Sequence, residues 1–249
     1  MTRVHRAAAE GFARSADAYE RGRPGYPDEA IRFLVDRLPA GATVLDLAAG
    51  TGKLTRPLLD AGLEVLAVEP VAQMRAALPA AARALDGTAE AIPLELGAVA
   101  AVTVGQAFHW FDGDAALPEI ARVLSADGLL GLFWNRRVDD DPVNKAFDDI
   151  VDPYRGEVPT HRGDAWRVAF EHTPLFGPPE EREFANAQTL DADGLEARVG
   201  SISFIAALEP PERARVLERV RALASGGEVT VPYRTEVQLW GRTSVRSGS

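Results

Sequence analysis

The chain has 249 residues, and 46% of them are apolar, enough for a sizeable core and too many for a globally disordered chain. Its 27 basic residues are outnumbered by 37 acidic ones, and the net charge of −10 disfavours non-specific binding to phosphate backbones. There is no cysteine, which excludes disulfide frameworks and thiolate metal centres. The N-terminal M-T-R-V-H-R-A-A-A-E lacks an apolar signal core, and no apolar run approaches the roughly 18 residues of a membrane helix. The expectation is a cytoplasmic protein with no membrane or nucleic-acid partner.

Residues 1–27 are polar, and the prolines of R-G-R-P-G-Y-P disfavour a helix there. Asp28 to Leu38 predicts a helix capped by Asp28, with Ile31, Leu34, Val35 and Leu38 on one face. Thr43 to Leu47 predicts a strand, Lys53 to Ala61 a helix stopped by Gly62, and Glu64 to Glu69 a second strand. Val71 to Leu85 predicts a helix broken at Pro79, and Ala84 to Thr88 a short third strand. Val99 to Gly105 is a fourth apolar run. Asp114 to Leu124 predicts a helix capped by Asp114, and Leu129 to Trp134 a fifth strand after the Asp127-Gly128 turn.

Arg136 to Pro179 shows no strand pattern and predicts a partly helical insertion, with 137–180 as a lid and 1–27 as a cover segment. Glu181 to Leu190 predicts a sixth strand, followed by helices at Asp193 to Ser201 and Pro211 to Ala224. Thr230 to Arg242 alternates with period two and suits an antiparallel partner on a parallel sheet. Apolar strands alternating with helices predict a single α/β domain, a doubly wound, mostly parallel sheet of seven strands.

V-L-D-L-A-A-G-T-G-K-L-T, Val44 to Thr55, is a strand running into a small-residue turn and then a helix. Such a turn lets a ligand approach the backbone, and the helix aims free N–H groups at it. Glu69 ends the next strand, 19 residues after Gly50, where a carboxylate can accept hydrogen bonds from ribose hydroxyls. A P-loop fails because Leu47 and Leu54 replace its first glycine and its hydroxyl residue. A dinucleotide fingerprint is matched at two positions at most. A nucleoside ligand without a pyrophosphate satisfies the turn and the carboxylate.

The chain resembles class I S-adenosylmethionine-dependent methyltransferases. Asp46, Ala48, Gly50 and Gly52 match their first motif, with alanine at the first glycine. G-T-A-E-A-I-P, Gly87 to Pro93, is similar to the motif after the third strand. V-G-Q-A-F-H-W-F-D, Val104 to Asp112, is similar to a run found in small-molecule enzymes like trans-aconitate methyltransferase. Y-E-R-G-R-P-G-Y-P and A-L-P-E-I-A-R-V-L-S-A-D-G are companion pieces, as is Trp134-Asn135.

The resemblance implies S-adenosylmethionine as cofactor and a small molecule as methyl acceptor. It implies cofactor contacts from Tyr19, Arg23, Asp46, Ala48, Ala49, Gly50, Gly52, Glu69, Pro70, Met74, Thr88, Ala89, Glu90 and Gln106. Arg23 would pair with the methionine carboxylate. It implies substrate contacts from Tyr26, His109, Trp110, Trp134 and Asn135, with His109 as orienting group or base. Asp112 and Asp114 read as helix caps and not metal ligands, so no metal is expected. A cofactor-binding scaffold without catalysis, and a use of the cofactor without methyl transfer, are the alternatives. The acceptor, the methylated atom and the oligomeric state are not written in the sequence.

Overall fold

The computed structural model describes residues 22–156 and 166–243. Seven strands form one sheet: β1 (Thr43–Leu47), β2 (Glu64–Val68), β3 (Arg83–Leu85), β4 (Val99–Gly105), β5 (Leu124–Arg137), β6 (Glu180–Leu190) and β7 (Val229–Gly241). Their order across the sheet is β3-β2-β1-β4-β5-β7-β6. The first five are parallel, with Thr43 opposite Glu64, Leu66 opposite Arg83, Val44 opposite Ala101 and Gly105 opposite Phe133. On the far side of β5, Val138 N donates to Pro232 O and Arg242 N to Gly128 O. These anchors lie ten residues apart on both strands, so β5 and β7 run antiparallel without a net bulge. This is the expected doubly wound, mostly parallel sheet.

Nine α-helices accompany the strands among the described residues: α1 (Asp28–Val35), α2 (Thr55–Asp60), α3 (Ala72–Arg75), α4 (Gly113–Val123), α5 (Pro142–Val151), α6 (Val168–Glu171), α7 (Ala192–Gly200), α8 (Ser203–Ala206) and α9 (Pro210–Ala222). Several boundaries differ from expectation for local reasons. Asp28 enters α1 instead of capping it, and its charge still suits the positive helix end. The helix expected from Val71 to Leu85 shrinks to α3, because Pro79 leaves the helix and packs beside Gly52. Asp112, not Asp114, occupies the cap position of α4, and its side chain makes no capping bond. No described helix is long and apolar enough to cross a membrane.

The described chain divides into two compact units, with boundaries inside β5, β6 and β7. One holds 26–134, 166–184 and 235–243. Its strands are nearly continuous apolar runs because helices bury both faces. One face packs Leu45, Val102, Val104, Leu132 and Trp134 with Leu117 and Ile120 of α4. The other packs Val44, Val65, Ala101 and Phe133 with Ile31 and Leu34 of α1 and Leu58 of α2. The second unit holds 22–25, 135–156 and 185–234. Its core joins Phe147 and Ile150 of α5, Leu195 and Val199 of α7, Val216 and Val220 of α9, and Val231 and Tyr233 of β7. Asp141 caps α5 by accepting from Val143 N and Asn144 N, with Pro142 at the first helical turn.

Candidate active site

The carboxyl ends of β2, β1 and β4 lie side by side, and the chain winds outward from β1 through β2 to β3 before crossing back to β4 on the other side of β1. Ligands of doubly wound sheets sit at such a reversal. The turn after β1 is built from left-handed residues: Ala48 at φ 56°, Gly50 at φ 57° and Gly52 at φ 90°. Ala48 carries the steric cost of that conformation, the physical reason this position favours glycine. A Cβ on Gly52 would stand 2.8 Å from Pro79 Cδ, whereas nothing lies within 4 Å of one on Gly50. Gly52 therefore serves packing, and Gly50 leaves open space above the backbone.

Glu69 is 4% exposed. Its Oε2 accepts from Gly50 N at 2.9 Å and its Oε1 from Val71 N at 2.8 Å. The carboxylate thus ties the turn after β1 to the turn after β2. Burial pushes its pKa up, and the two N–H donors oppose that shift. Pro70 leads from Glu69 toward α3, where Met74 is buried.

Asp46 is buried inside β1, and its Oδ2 accepts from Thr55 Oγ1 at 2.6 Å. Burial raises its pKa from 3.8 to about 7; the Thr55 hydroxyl opposes this and the negative charge of Glu69 adds to it. Asp46 is therefore an internal brace joining β1 to α2. Thr55 has no part in the sequence motif, and a hydroxyl nine residues after an acidic strand residue is a faint signal without coordinates.

Thr88 and Ala91 exchange backbone hydrogen bonds in a tight turn, with Ala89 buried within it. Glu90 Oε1 accepts from Asp112 N at 3.2 Å, linking that turn to the start of α4. Gln106, directly after β4, is a second left-handed non-glycine residue at φ 60°, and its N–H donates to Phe133 O. Strain of this kind persists where neighbouring structure enforces it, often beside functional sites.

His109 lies in the single turn Phe108–Trp110. Its ring centroid is 4.7 Å from Trp110 and 5.7 Å from Trp134. Trp134 also faces Trp166 at 5.3 Å. Tyr26 packs edge-on against Phe133, and a Cβ on Gly105 would stand 2.6 Å from its hydroxyl, placing that hydroxyl at the end of β4.

Arg23 and Asn135 belong to the other unit. Arg23 donates from Nε to Ser201 Oγ and from Nη2 to Ser201 O, both at 3.1 Å. Asn135 Nδ2 donates to Gly25 O, and its Oδ1 accepts from Asn186 Nδ2. These partners stand far along the chain, so no local pattern could name them. Tyr19 lies outside the described residues. Among the described residues no group of three or more histidines or carboxylates has metal-binding geometry.

A family model described as a methyltransferase domain matches residues 45–132, from within β1 into β5. An uncharacterised methyltransferase of Mycobacterium tuberculosis is 41% identical over 249 residues, covering 94% of this chain and 97% of its own. An uncharacterised methyltransferase-like protein of Schizosaccharomyces pombe is 34% identical over 204 residues, covering 80% of this chain and 79% of its own. The structure of a candidate type II methyltransferase from Anaeromyxobacter dehalogenans shares the fold, with a TM-score of 0.65 at 21% identity over 89% of this chain and 97% of that one. With this sheet and this turn at the end of β1, the chain belongs to the class I S-adenosylmethionine-dependent methyltransferases.

Proposed function

We propose that the crevice at the ends of β1, β2 and β4 holds S-adenosylmethionine and that the methyl acceptor is a small molecule. The observation that carries the cofactor assignment is Glu69, a buried carboxylate fixed by Gly50 N and Val71 N beside the open backbone of Gly50. Each carboxylate oxygen retains acceptor capacity beyond its one backbone bond, and two ribose hydroxyls match it. The residues fit the cofactor: there is room at Gly50, an acid at the end of β2, and the Thr88–Glu90 turn on the adenine side. Met74 and Pro70 complete the wall near Glu69.

S-adenosylmethionine supplies an electrophilic methyl group on a sulfonium. The protein's part is to hold the acceptor in line and to exclude water. His109 orients the acceptor, with Trp110 and Trp134 as apolar walls and Tyr26 at the end of β4. An imidazolium formed among these rings would be poorly solvated, which favours orientation over proton abstraction. The similarity of Q-A-F-H-W-F to small-molecule enzymes supports a small acceptor, and the net charge of −10 argues against nucleic acid. Incubation with methyl-labelled cofactor and a cell extract tests the reading. Label is expected in the low-molecular-weight fraction; label confined to protein or nucleic acid would reject it.

A further inference from the structure

Besides Asp46 and Glu69, one further carboxylate among the described residues is buried: Glu236 of β7. β7 places Glu236, Gln238 and Trp240 on one face, exposed by 6%, 0% and 9%. A buried sheet face is normally apolar, and the opposite face of this strand obeys that rule with Val237 and Leu239 in the core. Glu236 and Gln238 break it. The antiparallel register sets Glu236 opposite Trp134 and Gln238 opposite Leu132. Trp134 is the residue that meets His109, and it follows the pair Gly105–Phe133 at the end of β4. Glu236 therefore stands at the carboxyl rim of the sheet, on the acceptor side, with Gln238 one step deeper.

Gln238 Nε2 donates to Glu236 Oε1 at 2.6 Å. A carboxylate accepts, so the amide nitrogen must face Glu236 and the carbonyl oxygen must face elsewhere. That oxygen, Gln238 Oε1, is buried and has no hydrogen-bond partner. Arg167 Nη2 donates to the same oxygen, Glu236 Oε1, at 3.3 Å and helps to hold the carboxylate in place. A buried amide carbonyl left without a donor is costly unless something supplies one.

We propose that Gln238, aligned by Glu236, is a specificity-determining residue of the acceptor pocket: its carbonyl accepts a hydrogen bond from an O–H or N–H of a small planar acceptor held against Trp134. This deepens the proposed methyl transfer and rests on it. It narrows the acceptor to molecules carrying a donor group on a flat apolar frame, because Trp134 and Trp240 share this sheet face with Gln238 and the polar group offered is an acceptor.

Phenol and toluene are probes of one shape that differ in the donor. Their binding to the 249-residue chain is measured by ligand-observed NMR, with and without S-adenosylhomocysteine. The phenol-to-toluene affinity ratio is expected to fall about five- to tenfold in Gln238→Met, which keeps length and removes the carbonyl. In the wild type, the Gln238 side-chain amide signals should shift further with phenol than with toluene at equal occupancy, a readout that needs no variant. An unchanged ratio in the variant, or an amide signal indifferent to phenol, overturns the proposal. If phenol binds through Gln238 while S-adenosylhomocysteine does not bind at all, the pocket stands and the methyltransferase reading of the crevice falls.

Discussion

Ala48, Asp46 and His109 each make a testable difference at the scale of one side chain. Ala48 holds φ 56°, so its Cβ crowds the backbone. Ala48→Gly should raise stability by about 0.5–1 kcal/mol, the relieved strain being partly offset by the freer unfolded chain; denaturant midpoints check it. Asp46 titrates near 7 in the fold against an ordinary 3.8. Between those values the native state holds a proton that the unfolded state has lost, so stability falls as pH rises from about 4 to 7 and levels off above. Asp46→Asn, which cannot ionise, should flatten that fall; the same slope in the variant would show that other groups cause it. His109→Ala should raise the Michaelis constant for the acceptor while cofactor affinity and the thermal midpoint stay put. If His109 were a base, turnover would instead drop by roughly 10²–10⁴ and the pH profile would lose a limb. The glycines and Glu69 could be read from residues because a left-handed turn and a strand-end acid each leave a local signature. The ties of Arg23 to Ser201 and of Asn135 to Asn186 could not, since they span 178 and 51 residues.

Among the elements, the strands were legible where apolar runs were short and bounded by Gly, Pro or Asp. β1, β2 and β4 fall at or within one residue of the positions their runs predict. α3 was not legible, because alanine-rich sequence favours helix locally while Pro79 is drawn to Gly52 by packing. The place of β7 between β5 and β6 was beyond a sequence reading, since period-two alternation gives a strand's faces and not its neighbours. The C-terminal half of β7 nevertheless anchors the unit that carries β1 to β4: Trp240 stacks on Phe170 of α6 at 4.0 Å and 24°. Trp240→Ala should cost about 3–5 kcal/mol, the range for emptying a buried aromatic site; urea unfolding measures it. A loss under 1 kcal/mol would mean that α6 is not anchored there.

At the level of the whole molecule, the fold class could be read from alternation alone, but the division into two units could not. The strands β5, β6 and β7 run without a break in pattern across its boundaries. All four tryptophans, Trp110, Trp134, Trp166 and Trp240, lie in the unit that carries the Gly50–Glu69 turn, so tryptophan emission reports that unit selectively. S-adenosylhomocysteine at 100 times its dissociation constant should stabilise it by about 2.7 kcal/mol, seen as a higher midpoint by that emission. The central proposal is that Glu69 receives the ribose of the cofactor. Calorimetric titration of S-adenosylhomocysteine into the wild type and Glu69→Ala tests it most directly. The account predicts binding to the wild type and a loss of about 2–4 kcal/mol in the variant, from two charge-assisted hydrogen bonds. Equal affinity in a folded variant would contradict it.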